Sequence, residues 1–68
     1  MRISLNGAER ELPEGATVLA AAGLAGVSPE ERGVAVALEG RVVPKTSWAE
    51  TPIPDGARVE VVRATAGG

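Results

Sequence analysis

A single small α+β domain, one mixed sheet packed on one helix, is the fold class that these 68 residues predict. Three observations carry it. Polar and apolar residues alternate near both ends, over residues 2–6 and 58–63, as in half-buried strands. One uncharged, alanine-rich stretch after Thr17 has high helix propensity. Between them, residues 33–38 form a near-continuous apolar run that reads as a well-covered strand.

Taken in order, Arg2-Ile3-Ser4-Leu5-Asn6 is the first strand, and Asn6-Gly7 is a strong two-residue hairpin signal because both residues tolerate positive φ. Residues 8–12 return as a second strand ending at Pro13, with Glu9 and Glu11 toward solvent and Leu12 inward. Thr17 is the expected N-cap of a helix running to Leu24 or Ala25, with Val18, Ala22 and Ala25 as its inward stripe and Leu19 harder to place. Gly23 and Gly26 mark its early end, and residues 27–32 read as loop. In the next strand Val34, Val36 and Leu38 share one face, while Ala35 and Ala37 share the other. Glu39-Gly40 is a tight turn into a short extended piece, Arg41-Val42-Val43, stopped by Pro44. Residues 45–50 are a loop with one helical turn around Trp48, Pro54-Asp55-Gly56 is a turn, and residues 58–63 are the last strand. The expected core is Ile3, Leu5, Val18, Val36, Leu38, Val59 and Val61. This order places the first and last strands parallel in the middle of one sheet clasping one helix, the β-grasp arrangement.

Composition excludes much. A chain this short buries only about 60% of its unfolded surface, and it has no cysteine or histidine to supply disulfides, structural zinc, iron–sulfur ligation, a thiol nucleophile or a His-based acid and base. No metal site and no catalytic residue is expected in the body. A net charge of −2 with scattered basic residues, and Trp48 as the one aromatic, argue against a nucleic-acid partner. No apolar run reaches membrane-spanning length, so no membrane partner is expected and a cytoplasmic location is.

Chemistry concentrates at the end of the chain. Ala64-Thr65-Ala66-Gly67-Gly68 carries only small side chains, so it can enter a narrow channel and present a bare carboxylate. The expected division is a domain over residues 1–63 and a flexible tail over residues 64–68. Gly68 is the candidate acyl-carrying residue, and Gly67 and Ala66 are the residues whose slimness gives access.

The whole chain resembles the sulfur carrier proteins of thiamine (thiazole) biosynthesis, of the ubiquitin-like β-grasp family. The resemblance lies in Ile3-Ser4-Leu5-Asn6-Gly7, Gly15-Ala16-Thr17-Val18, Val34-Ala35-Val36-Ala37-Leu38-Glu39-Gly40 and Asp55-Gly56-Ala57-Arg58-Val59-Glu60-Val61-Val62. Terminal Gly67-Gly68 belongs to it too, and Val43-Pro44-Lys45-Thr46-Ser47-Trp48 is its most telling stretch. It implies that an adenylyltransferase of the ubiquitin-activating type adenylates Gly68 with ATP. Sulfur from a persulfide donor then gives a thiocarboxylate, which thiazole synthase consumes. The carrier itself would be no enzyme but a protein co-substrate, without a cofactor of its own. Two departures from the family are the helix, poor in leucine and charge, and Ala57, where the family often has an acidic residue. Other readings are the small subunit of molybdopterin synthase, another metabolic sulfur carrier, or a non-catalytic β-grasp interaction module.

Four further features stand apart from the tail. Trp48 either pins its loop to the core or serves as a partner hot spot. Lys45, the only lysine, reads as a solvated charge or a modification site, and Glu30 and Glu31 as an exposed loop face. Arg58 and Arg63 either solubilise the last strand or steer docking.

Overall fold

Two tight turns organise the chain. Asn6 and Gly7 take φ values of 52° and 85°, and Glu39 and Gly40 take 51° and 82°. Paired positive φ values give a two-residue turn whose twist matches the flanking strands. The first turn joins β1 (Arg2–Leu5) to β2 (Ala8–Glu11), with Leu5 opposite Ala8 and Arg2 opposite Glu11. The second joins β3 (Val34–Leu38) to β4 (Arg41–Val43), with Leu38 opposite Arg41. The computed structural model describes residues 1–64. Its remaining elements are helix α1 (Val18–Leu24), a 3₁₀ helix over Lys45–Glu50 and strand β5 (Arg58–Arg63).

The five strands run in the order β2-β1-β5-β3-β4. β5 lies parallel to β1, with Leu5 beside Val59, and antiparallel to β3, from Val34 opposite Arg63 to Leu38 opposite Val59. The parallel pair is short, and side chains lengthen it at both ends. Asp55 Oδ1 accepts the Arg2 amide at 2.9 Å, and Asn6 Oδ1 accepts the Val61 amide at 2.8 Å. The first and last strands are therefore parallel neighbours inside a mixed sheet packed on one helix, as expected.

Thr17 occupies the N-cap position in an extended conformation, but its side chain makes no capping bond. The start of the helix is held from across the chain instead. The Val18 amide donates to the Thr51 carbonyl at 2.9 Å, and the Ile53 amide donates to the Ala16 carbonyl at 3.0 Å. At the other end Gly26, at φ 81°, donates its amide to Gly23, and the Val27 amide donates to Ala22, both at 3.0 Å. Those two bonds make a Schellman motif, in which the residue after the left-handed position folds back on the helix. Val27 is accordingly buried, although the sequence reads it as loop.

The core lies between sheet and helix and includes Ile3, Leu5, Leu12, Val18, Val34, Val36 and Val59. Of the expected members, Leu38 and Val61 are only half-buried and pack against its margin. A seven-residue helix rises about 10 Å, whereas a six-residue strand runs about 20 Å, so α1 cannot cover the whole of β5. Helix spacing also corrects the stripe: Val18, Ala21 and Ala22 are buried, Ala25 is half-buried, and Leu19 and Leu24 are exposed. Three buried side chains outside the regular strands complete the core: Trp48, Ile53 and Ala57.

Candidate functional site

The place of interest is the end of β5, where the chain leaves the sheet toward its candidate sulfur-carrying residue. Alternation along β5 puts Val59, Val61 and Arg63 on the helix side of the sheet. Arg63 stands opposite Val34 and leans onto the loop between α1 and β3. Its guanidinium grips that loop by three hydrogen bonds. Nε donates to Glu31 Oε2 at 2.7 Å, Nη2 to Glu31 Oε1 at 3.3 Å, and Nη2 also to the Gly26 carbonyl at 3.1 Å. Two parallel N–H···O bonds from one guanidinium to one carboxylate fix orientation as well as distance.

Glu31 is held in turn from its other side. Lys45, at the first position of the 3₁₀ helix, donates its ammonium to the Glu31 carbonyl. The Ala64 amide donates to the Gly33 carbonyl in the same loop, so sheet-like bonding continues one residue beyond the expected domain boundary at 63. Two sequence expectations change here. Glu31 is a half-buried partner of Arg63 rather than a solvated loop charge, and Lys45 is tied to the loop rather than free in water. Glu30 and Arg58 are exposed as expected. No local pattern signals the pair, because Arg63 and Glu31 lie 32 positions apart.

Trp48 is wholly buried, with its indole N–H donating to the Val43 carbonyl at 2.9 Å, so it pins its segment to the core. The opposite face of the sheet carries an apolar strip. Val62 stands opposite Ala35 and Val42 opposite Ala37, and these valines are 60% and 72% exposed. Strand alternation contains that information, since Val62 shares the parity of Arg58 and Glu60.

Gly68, Gly67 and Ala66, the sequence-predicted site residues, lie outside the described residues. Among the described residues there is no cavity and no group of three or more side chains able to hold a metal ion. No helix among them is long and apolar enough to cross a membrane. The described body thus presents surfaces and a braced chain exit rather than a pocket.

Comparisons with known proteins bear on that exit. Residues 3–68, which include Gly67 and Gly68, match the ThiS family. The chain is 38% identical over 68 residues to a thiazole synthase of Paramagnetospirillum magneticum, matching 100% of this chain and 20% of that protein. It therefore spans about a fifth of the length of that curated relative. The crystal structure of the thiamine biosynthesis protein ThiS from Geobacter metallireducens is similar with a TM-score of 0.77. That similarity covers 100% of both chains at 26% identity.

Proposed function

Because this chain belongs to the ThiS family, we propose that it is a sulfur carrier of thiamine biosynthesis whose Gly68 carboxyl group is the carrying atom set. The observation that supports the reading is a family match running through Gly67 and Gly68, on a body that offers no pocket among its described residues. A carboxylate is a poor acyl donor, since its oxygen does not leave. Transfer of AMP from ATP, with release of pyrophosphate, makes that oxygen a good leaving group. The terminal sulfur of a persulfide then attacks the acyl carbon and AMP departs. A thiol attacks the resulting S–S bond, leaving a disulfide on the donor side and a thiocarboxylate on Gly68. Thiazole synthase takes that sulfur, and the carrier returns as the free acid.

In this scheme the chain is a protein co-substrate rather than an enzyme. ATP belongs to an activating adenylyltransferase of the ubiquitin-activating type, and the carrier brings no cofactor. The absence of side chains at Gly67 and Gly68 and the methyl group of Ala66 suit a narrow approach to the bound nucleotide. The thiazole synthase relative, in which a region similar to this chain makes up about a fifth of the protein, supports thiazole synthase as the acceptor. ATP-dependent activation fits a cytoplasmic protein.

Mass spectrometry tests the proposal. Incubation with activating enzyme, ATP and a persulfide donor is expected to add the mass difference between sulfur and oxygen, confined to the C-terminal peptide. An unmodified C-terminal peptide in the presence of an enzyme competent on another carrier would refute it.

A further inference from the structure

The geometry points to Arg63 and Glu31 as positioning residues for the acyl-carrying tail, a latch that fixes where and in which direction the chain leaves the fold. This rests on the carrier reading above and adds residues to it. The latch joins the last residue of β5 to the loop between α1 and β3 by a two-pronged guanidinium–carboxylate contact at 2.7 and 3.3 Å. Arg63 also reaches the Gly26 carbonyl, and Ala64 donates to Gly33. The loop is itself anchored, by buried Val27 and Val34 on either side and by Lys45 at the Glu31 carbonyl. Residues 63 and 64 are therefore bonded to a firm support immediately before the tail.

The consequence is a limit on reach. Gly68 follows Ala64 by four residues, which span at most about 14 Å whatever path they take. A partner that acts on Gly68 must bring its reacting atoms within that radius of Ala64. Holding Ala64 in place reduces the freedom that has to be lost when the tail is captured. Without the latch the end of β5 can fray, and more of the chain must be ordered on binding. The effect falls on capture of the carrier, hence on its KM in pyrophosphate exchange, and leaves kcat unaltered.

The test is a double-mutant cycle with Glu31→Ala, Arg63→Gln and the double variant. Each single variant is expected to raise the KM for the carrier about two- to fivefold, the range for one partly exposed ion pair. The double variant is expected to be no worse than either single one, because both remove the same contact. Hydrogen exchange of the Ala64 amide, measured on the carrier alone, is expected to quicken in all three while the melting temperature stays within a few degrees. Two outcomes overturn the latch. One is an Arg63→Gln defect with no Glu31→Ala defect, which assigns Arg63 to direct partner contact. The other is Ala64 exchange unchanged by either substitution. Failure of the unaltered chain to support pyrophosphate exchange refutes the carrier reading instead, and Ala64 exchange still decides the latch.

Discussion

Replacing Trp48 by Phe removes one hydrogen bond and part of one ring from the middle of a very small core. Trp48 is wholly buried, and its indole N–H satisfies the Val43 carbonyl at 2.9 Å, at the point where β4 hands the chain to the 3₁₀ helix. Losing that bond costs about 1 kcal/mol. Phenyl lacks two of the indole carbons, and at about 0.8 kcal/mol per buried carbon this adds roughly 1.6 kcal/mol. The sum, about 2–3 kcal/mol, is large against the roughly 3–10 kcal/mol expected for a domain of this length. Urea unfolding followed by far-ultraviolet circular dichroism is the suitable assay, because Trp48 is the only aromatic residue and its fluorescence disappears with it. With a slope of about 1 kcal/mol/M, the midpoint should fall by about 2–3 M. A midpoint within about 0.5 M of the unaltered protein would refute the argument, since it would mean that the ring is neither packed nor bonded as described.

Valine-to-threonine changes at two positions of β5 should separate its faces: Val59→Thr buries a hydroxyl without a partner and should cost about 1–3 kcal/mol, whereas exposed Val62→Thr should stay within about 0.5 kcal/mol by chemical denaturation. Gly26→Ala places a Cβ at φ 81° in the Schellman motif and should lower stability by about 1–2 kcal/mol, read as a lower melting temperature. Deleting Gly68 should leave the melting temperature unchanged and abolish pyrophosphate exchange with the activating enzyme. Retained exchange would remove Gly68 from the mechanism.

The parts of this fold that a short window of residues controls were legible in the sequence. Asn6-Gly7 announces its turn because both residues tolerate positive φ, whereas at Glu39-Gly40 only the glycine carries that signal and Glu39 is held at φ 51° by the turn itself. Alternation over residues 58–63 announces β5 because side chains on a strand must point to opposite faces. Thr17 marks the start of the helix, yet the bond that secures that start comes from the Thr51 carbonyl, 33 positions beyond Val18, and no local signal foretells it. Gly67 and Gly68 stand out by their smallness and position, but the chemistry proposed for them is readable only through resemblance to a family, since a bare carboxylate carries no motif of its own.

Sequence by itself determined the strand and turn order, the extent of the helix and most of the core, because each follows from backbone preference and apolar spacing within a few residues. Tertiary structure decided how far coverage extends and what meets across the chain. A helix of seven residues leaves Leu38 and Val61 at the core margin. Register sets Val62 beside Ala35 on the open face, and sheet order carries Arg63 to Glu31 at the exit of the chain. Those contacts join residues tens of positions apart, and their geometry exists only once the intervening strands have paired.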